Sequence, residues 1–441
     1  PILKIYNSSI SKGYYEYRIS TLLGNNPGDI MFENPGRILY KPSTYGSVDF
    51  NIESKQWCFK RSMESEHFVV FWEKEFGNDP TKAASGYAFN PKTMLADGEK
   101  YWNKYVELGF INPGKSTTDK YKIEMFVKYT KDWVANGSGV DQKVGMLHVN
   151  PWAISSRNGS TVAHEIGHTF QYLVSCDLGT SHGFNYGYGD NASGGNGWWE
   201  SCANWQAYKC YPNMQFTDGE NFEGHLNFHH LNLLHEDWRY QNCFIQDYWC
   251  MKHGSDFIGR LWRESKKPED PVEAYKRLNK LDQAAFCDEQ MEGYMRMATW
   301  DIDGVRDQAK HRIGQHVSHL HLAASNEGTW EVDSAYCPQN YGYSIINLNT
   351  TAPGTIVKAY FKGIAGAKGY RAINIDKAGW RYGFVAYSAN GTRTYGKIES
   401  DKEGTASLTI PEDCKKLFFV VMGAPTEHWR HPWDDKADND E

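Results

Sequence analysis

The sequence predicts an α+β protein, in which a mixed α/β region is followed by a C-terminal β-rich region. Strand-like and helix-like patterns alternate between residues 61 and 310, and period-2 hydrophobic runs dominate residues 311–441. A length of 441 residues also exceeds what one ordinary hydrophobic core accommodates. We therefore expect an N-terminal β-rich segment over 1–60, a central domain over 61–310 and a β-sandwich domain over 311–441.

Composition and charge exclude several classes of protein. Hydrophobic residues make up 40% of the chain and charged residues 23%, which is typical of a folded protein rather than a disordered one. The formal net charge is -7, and no run of Lys or Arg is long enough to follow a nucleic acid, so we expect no nucleic-acid partner. No stretch of 18 apolar residues occurs, so we expect no transmembrane segment.

The aromatic and cysteine contents bear on where the protein acts. Aromatic residues make up 15% of the chain, which is common in secreted proteins that bind sugars or peptides. We expect a secreted or cell-surface protein whose signal segment is absent from the given chain. Nine cysteines show neither CxxC nor zinc-ribbon spacing and cannot all pair with one another, so most are expected to be buried thiols.

Short elements alternate before residue 160. Two β-like runs over 37–40 and 48–52, bounded by Pro and Gly, predict the small N-terminal β-rich segment. The mixed α/β region then follows, with strands predicted over 67–72, 121–127 and 144–149 and a helix over 91–108.

Residues 160–178 predict an amphipathic helix. Ser160 or Thr161 is expected to cap its start, and Gly179 to follow its end. The apolar face carries Val162, Ile166, Phe170, Leu173 and Val174, and the opposite face carries His164, His168 and Tyr172. A Gly- and Asn-rich segment over 183–197, interpreted as either a substrate loop or a surface connection, leads to a second helix over 198–208.

Helical periodicity continues over about 225–300, and strand periodicity follows. An Asn390-Gly391 turn is expected to form a hairpin among period-2 runs over 343–348, 356–361, 382–387 and 417–422. The aromatic residues of this β-sandwich are expected either to fill its core or to bind glycans by stacking: Trp380, Tyr382, Tyr387, Tyr395, Trp429 and Trp433. The acidic tail over 434–441 is expected to be a solvated end.

The most specific chemical signal is His164-Glu165-Ile166-Gly167-His168, an HExxH motif on a predicted helix. The i, i+4 spacing places both imidazoles on one face, within reach of one ion. Neutral imidazole nitrogens suit Zn²⁺, and Glu165, displaced by about 100° around the helix, is placed to act as a general base. Gly167 is expected where another segment approaches the helix closely. The alternative is a surface helix with a chance pair of histidines.

A catalytic zinc site requires a third protein ligand. The metzincin continuation is excluded, because residues 169–174 have neither the Gly nor the His that it requires. We prefer Glu200 over His182, because Glu200 is on the second predicted helix, with small residues one turn along that allow close packing.

The HExxH motif followed by Glu200 on a second helix resembles the gluzincin clan of zinc peptidases over roughly residues 65–300. The resemblance implies a zincin-like catalytic domain with zinc on His164, His168 and Glu200, and hydrolysis of a peptide bond in a peptide, protein or glycoprotein. The run over 145–149 resembles the substrate-aligning edge strand of the clan. Asn204 stands where thermolysin-like gluzincins have an Asp that orients a zinc-bound His, and its amide oxygen can accept the same N–H. The layout with a C-terminal sandwich is similar to uncharacterised secreted metallopeptidase-like proteins of gut bacteria.

A peptidase also needs a donor for the oxyanion that develops on the attacked carbonyl. Tyr240, His235 and His230 are candidates, and Tyr240 resembles a Tyr that several gluzincin families have at this stage of the chain. The alternative for each is packing. The cluster His225, His229, His230 and His235 has spacings that suggest a second metal site, but core or solvated histidines are favoured because no carboxylate stands in a recognised pattern.

Two functions from different classes follow. The first is an extracytoplasmic zinc peptidase in which Glu165 activates water. The second is a binding protein on a catalytically silent zincin scaffold, attached to surface glycans by its C-terminal sandwich. The intact Glu165 favours the enzyme, since a purely structural zinc site has no use for a general base.

Overall fold

The computed structural model describes residues 5–6, 16–18, 29–32, 37–186, 195–323 and 328–431. Most of the Gly- and Asn-rich segment and the whole acidic tail lie outside these ranges. Helices and strands are both present, which confirms the α+β class. No helix among the described residues is long and apolar enough to cross a membrane. All nine cysteines are described. Four of them are buried and five are half-buried, so the expectation that most are buried is wrong.

By internal packing the chain divides into two units. The first comprises residues 1–183, 202–211 and 255–267, and the second comprises 184–201, 212–254 and 268–441. One of the dividing lines falls between residues 201 and 202, within the helix Gly195–Cys210. The predicted domain boundaries at residues 60 and 310 stay predictions.

Ten α-helices lie within the described residues. They are α1 (Pro91–Glu107), α2 (Pro151–Ser155), α3 (Ser160–Leu178), α4 (Gly195–Cys210), α5 (Gly219–Phe228), α6 (Ile245–His253), α7 (Phe257–Glu264), α8 (Pro271–Asn279), α9 (Gln283–Met297) and α10 (Arg306–Ala309). The predicted helices over 91–108, 160–178 and 198–208 therefore exist, and α5 to α9 account for the helical periodicity after residue 225.

Two sheets lie within the described residues of the first unit. Strands β1 (Ile5–Tyr6), β2 (Glu16–Arg18), β3 (Asp29–Phe32) and β4 (Leu39–Tyr40) pair in that order. The main sheet consists of β5 (Ser62–Glu64), β6 (Phe68–Trp72), β7 (Ile123–Val127), β8 (Ala135–Val140) and β9 (Val144–Val149). Its order is β5-β6-β7-β9-β8, in which β6, β7 and β9 run parallel between two antiparallel edge strands.

The sheet order corrects one prediction. The run over 145–149 lies in β9, but β9 pairs with β7 on one side and with β8 on the other, so it is not an edge strand. The edge is β8, whose sequence Ala-Asn-Gly-Ser-Gly-Val has low strand propensity and predicted no strand. Hydrophobic periodicity therefore missed β8, the edge strand that lies beside α3.

Helices cover one face of the main sheet. α1 packs on β6, and α3 packs on β8 and β9. An apolar cluster forms on the sheet with the chain that precedes it: Leu39, Phe50, Trp57, Phe59, Val69, Phe71 and Phe126. Its packing holds the sheet against the segment that was predicted to be β-rich.

The ends of α3 differ in how well the sequence predicted them. Gly179 follows the last helical residue with φ +99°, and its N–H bonds to the Ser175 carbonyl, which confirms its predicted role. Capping by Ser160 or Thr161 is wrong. Gly159, at φ +91°, holds the capping position without a side chain, and Ser160 already has helical backbone angles.

The second unit contains the C-terminal strands. They are β10 (Leu320–Leu322), β11 (Trp330–Val332), β12 (Tyr343–Leu348), β13 (Ile356–Lys362), β14 (Trp380–Ser388), β15 (Arg393–Tyr395), β16 (Glu403–Thr409) and β17 (Cys414–Gly423). Their sheets have the orders β10-β11, β12-β17-β14-β15 and β13-β16. All four predicted runs lie within strands, and the Asn390-Gly391 turn joins β14 to β15, with Gly391 at φ +87°.

Three of the six aromatic residues considered for glycan contact are engaged in contacts within the protein. Tyr382 is fully buried, and Trp380 packs against Phe361 with ring centroids 6.0 Å apart. The Tyr395 hydroxyl donates to Asp301 at 2.7 Å. Trp433 lies outside the described residues. Glycan contact by this region stays a prediction, and the core interpretation is favoured.

A glycine in β8 is required by the close approach of α3. A Cβ added at Gly137 would overlap the carbonyl oxygen of Glu165. We expect Gly137→Ala to lower the free energy of unfolding by about 2 kcal/mol or more, measured by urea denaturation. Gly219→Ala is the control, because a Cβ there meets nothing within 4 Å. Equal stability of the two variants would contradict this packing.

A buried carboxyl group on β7 makes stability depend on pH. Glu124 is 1% exposed, neither of its oxygens has a hydrogen-bond partner among the described residues, and burial raises its pKa well above the ordinary value. Because the folded state then binds a proton that the unfolded state releases, the stability contributed by this group is lost as pH rises above the unfolded pKa of about 4.3.

We expect Glu124→Gln to leave stability unchanged near pH 4 and to raise it at pH 8. The gain grows by at most about 1.4 kcal/mol per pH unit, and urea denaturation at several pH values measures it. Glu64→Gln is the opposite control, because Glu64 forms a buried ion pair with Lys122 at 2.8 Å, and its loss lowers stability at pH 8. A Glu124→Gln variant less stable than wild type at pH 8 would contradict the neutral state of Glu124.

Candidate metal centre

Helix α3 carries the HExxH residues and is buried around almost its whole circumference. His164, Glu165 and His168 are 9%, 6% and 6% exposed. Strands β8 and β9 pack against α3, as do α1 and α7. The two histidines therefore lie in the interior, which excludes the alternative of a chance pair on a surface helix.

The two imidazoles face each other. His164 Nε2 and His168 Nε2 lie 3.0 Å apart, and the rings are nearly perpendicular, with centroids 4.6 Å apart. One turn of helix separates the residues, so their side chains project from the same face of α3. This arrangement brings two nitrogen atoms toward one point.

Amide side chains fix the outer nitrogen of each ring. His164 Nδ1 lies 2.7 Å from the Asn204 amide oxygen, which confirms the contact predicted for Asn204. His168 Nδ1 lies 2.9 Å from the Gln171 amide oxygen, and the Gln171 amide nitrogen donates to Gln206 at 3.2 Å. Since both amide oxygens accept, Nδ1 carries the proton in each neutral ring and the Nε2 lone pair points inward.

Helix α4 approaches α3 at a glycine. A Cβ added at Gly167 would lie 3.0 Å from the Gln206 amide oxygen and 3.4 Å from the Ala203 Cα atom. This confirms the expectation that a neighbouring segment comes close at Gly167. The approach places Asn204 and Gln206 of α4 against the motif.

Helix α4 also carries Glu200, one turn before Asn204. One ligand atom from each of His164, His168 and Glu200 lies within 4.8 Å of the others. His182, the alternative third ligand, instead donates from its ring to the Arg263 carbonyl oxygen at 2.8 Å. The structure thus brings together the preferred residues rather than the alternative set.

The donor set fits a zinc-class ion. Two nitrogens about 2.05 Å from one tetrahedral ion lie about 3.3 Å apart, close to the 3.0 Å between the two Nε2 atoms. Two imidazoles and one carboxylate are also a known catalytic zinc set, and each imidazole has an outer hydrogen bond of the kind that orients such ligands. The identity of the metal stays a prediction, as does the role of Glu165 as general base.

Residues 32–441 match a protein family of unknown function, DUF6055. The chain belongs to this family. No curated protein matches the chain. The DUF6055 region includes α3 and α4, so the candidate metal centre lies within the part of the chain that defines membership.

The candidates for oxyanion donation in this DUF6055 protein lie in the second unit. Tyr240 is 37% exposed, and the Arg239 guanidinium lies 5.1 Å from the centre of its ring. His235 caps the turn over 236–238, and His230 packs against Tyr336 with centroids 5.0 Å apart. A catalytic role for any of them stays a prediction.

His225 and His229 belong to the core of the second unit. Each is 1% exposed, and His225 Nε2 lies 3.1 Å from the Tyr343 hydroxyl. Burial lowers the pKa of both rings well below the ordinary value, so both are neutral. Burial also lowers the pKa of His230 to about 4. These observations confirm that core histidines were the better interpretation of His225, His229 and His230.

Gln171 is the site residue that sequence patterns missed. It stands three residues after His168 on the same helix, where a side chain can reach the imidazole, but polar residues at that spacing are common on helices. Gln171 differs from those residues in being buried, with 1% of its surface exposed. A single sequence does not show burial.

The Asn204 contact predicts a metal-affinity effect. We expect Asn204→Ala to weaken Zn²⁺ binding about 10- to 100-fold, because the outer hydrogen bond of a ligating imidazole is lost. Asn204→Asp keeps the acceptor, adds a charge and should bind at least as tightly as wild type. Competition with a chromogenic chelator measures all three affinities, with exposed Asn103→Ala as the control. An Asn204→Ala affinity equal to wild type would contradict the orientation of His164.

Proposed function

We propose that this DUF6055 protein is a zinc-dependent peptidase of the gluzincin type, secreted or at the cell surface, that hydrolyses a peptide bond in a peptide, protein or glycoprotein. One observation carries the proposal. The His164 and His168 nitrogens meet at 3.0 Å beside the Glu200 carboxylate, and a further buried glutamate, Glu165, stands between them on α3. A site that served only structure would not need that fourth residue.

We also propose that residues 61–310 form a zincin-like catalytic domain and that residues 311–441 form a β-sandwich. The first is supported by a mixed sheet whose antiparallel edge strand β8 packs on α3. The second is supported by the β12-β17-β14-β15 and β13-β16 sheets, whose apolar side chains form one cluster.

His164 and His168, through Nε2, and the carboxylate of Glu200 would hold the zinc ion. When bound, zinc supplies Lewis-acid chemistry by lowering the pKa of water and polarising a substrate carbonyl. The protein holds the ligands in place through the amides of Asn204 and Gln171, so the rings need no reorientation.

The proton transfers are assigned to Glu165. Its carboxylate accepts a proton from the attacking water and then donates that proton to the nitrogen of the departing amine. The carbonyl group of Glu165 is covered by β8 at Gly137, so the backbone that carries the base is held by the sheet. Tyr240 is the proposed donor to the oxyanion.

The substrate is proposed to bind along β8. Within the described residues β8 pairs only with β9, so its other edge offers backbone donors and acceptors to an extended peptide. Trp133 precedes β8 and meets Trp152 edge to face, with centroids 5.0 Å apart. The fully buried Asn150 holds the backbone beside both tryptophans: its amide nitrogen donates to the Thr130 and Asp132 carbonyl oxygens, and its amide oxygen accepts from the Ala153 N–H at the start of α2.

The general base is tested by Glu165→Gln. We expect the variant to keep its zinc and to lose about 10²- to 10⁴-fold in kcat, because the amide cannot take up the proton. Glu107→Gln, on the exposed face of α1, is the control and should behave as wild type. Hydrolysis is followed on a broad library of peptides and glycopeptides. Wild-type protein that holds zinc yet hydrolyses nothing in that library would overturn the peptidase proposal and favour the silent glycan-binding protein.

The two tryptophans test substrate binding along β8. They are 48% and 56% exposed, so their truncation costs little packing. We expect Trp133→Ala combined with Trp152→Ala to raise KM about tenfold with kcat changed by less than about twofold, as for a lost ground-state contact. Trp330→Ala, which removes a 62% exposed side chain of the second unit, should change neither constant. An unaltered KM in the double variant would exclude this part of the surface from substrate binding.

A further inference from the structure

A second group of ligand-type side chains lies wholly within the second unit. His235, Glu236 and His431 each offer one nitrogen or oxygen atom, and these atoms lie within 4.8 Å of one another. The three residues are 3%, 5% and 1% exposed. We propose that they bind a second divalent cation of the zinc class, at a structural site independent of the centre on α3 and α4.

The geometry around one carboxylate oxygen supports this proposal. Glu236 Oε2 lies 3.0 Å from His431 Nε2 and 3.8 Å from His235 Nδ1. Ligand atoms about 2.05 Å from a tetrahedral ion lie about 3.3 Å apart, between these two values. The two rings have centroids 5.1 Å apart, and two imidazoles on one such ion have centroids about 5 Å apart.

The charge of the group favours a cation. A carboxylate as deeply buried as that of Glu236 requires compensation, and its neighbours in the group are two imidazoles. The Arg239 guanidinium donates to the backbone carbonyl oxygen of Glu236, at 2.6 Å. A divalent cation would neutralise the carboxylate and use the imidazole nitrogens as neutral donors, which is the combination that zinc accepts.

One hydrogen bond makes this second site weaker than the first. The backbone N–H of Asp237 donates to His235 Nδ1 at 3.0 Å, so an ion that binds this nitrogen competes with that bond. At the centre on α3, by contrast, both outer nitrogens are donors to amides and both inner lone pairs are directed at one point. We therefore expect the first zinc equivalent to load at the α3 centre and the second here.

The second site would connect distant parts of the chain. Glu236 and His431 are 195 residues apart, so a shared ion would attach the C-terminal segment to the turn that follows α5. The same segment is already held by an ion pair between His428 and Asp270 at 2.8 Å. An ion that binds only the folded state raises its stability by mass action. Zinc should therefore raise the melting temperature through this site.

The experiment counts zinc on the full chain after chelator treatment, by titration with Zn²⁺ and elemental analysis. His431→Gln removes the ligand but keeps a hydrogen-bond donor to Glu236, and His428→Gln is the matched control on the same segment. The double variant His164→Ala with His168→Ala removes the first centre. We expect two zinc ions for wild type and for His428→Gln, and one each for His431→Gln and for the double variant. The triple variant, which combines the double variant with His431→Gln, should bind none.

The melting temperature gives a second readout. In the double variant, which lacks the α3 centre, zinc should still raise the melting temperature. Addition of His431→Gln to that variant should abolish the rise. One zinc in wild type and none in the double variant would overturn the second site and leave the α3 centre intact. One zinc that is lost in His431→Gln but kept in the double variant would support the second site and overturn the first. A zinc count unaffected by His431→Gln would overturn the proposal made here.

Discussion

The burial of α3 on all sides depends on glycines at its closest contacts. A Cβ at Gly139 of β8 would overlap the Tyr172 ring, and one at Gly145 of β9 would lie 2.7 Å from the Thr169 Cβ atom. On α3 itself, Gly167 admits α4. Because these neighbours come so close, the polar residues of the HExxH motif lie in a water-poor interior where electrostatic interactions are strong. The same closeness places Asn204 and Glu200 of α4 against the two imidazoles.

The outer hydrogen bonds of the two histidines end on neutral amides. In the proposed enzyme, two neutral imidazoles and the Glu200 carboxylate around a divalent ion give the centre a formal charge of +1. A carboxylate in place of Asn204 would reduce that charge to zero. Residual positive charge in a buried site stabilises negative charge that develops on a substrate carbonyl, so neutral amides favour the transition state at the expense of metal affinity.

The second unit uses histidine in two different ways. His225 and His229 are neutral members of an aromatic core, where burial opposes charging of their rings. His428 faces a carboxylate instead. Burial lowers the pKa of this ring, but the charge of Asp270, the hydrogen bond to it and the charge of Glu273 together raise the pKa above the ordinary value. The proposed site at His235 and His431 differs from both, since its carboxylate lies between two rings.

Sequence patterns predicted the elements that bury one face with a regular period. The bounds of α3 were predicted as the structure has them, because its apolar residues recur at helical spacing and Gly179 follows. The strand β8 was missed, because the glycines that let it lie on α3 are residues that strands otherwise avoid.

The site was predictable to the extent that it depends on local spacing. His164 and His168 follow from the i, i+4 rule, whereas the contact of Asn204 was implied only by the resemblance to thermolysin-like gluzincins. Gln171 and Gln206 are ordinary polar residues in the sequence, and only the folded structure shows that Gln171 holds His168 and donates to Gln206. The placement of His431 beside Glu236 depends on a contact across 195 residues, which periodicity does not reveal.

The most direct test of the central claim is an anomalous difference map, measured at the zinc absorption edge from crystals of the chelator-treated protein soaked with one equivalent of Zn²⁺. We expect one strong peak within about 2.1 Å of both Nε2 atoms of His164 and His168 and beside the Glu200 carboxylate. Ordered density for α3 and α4 with no peak between these three side chains would contradict it.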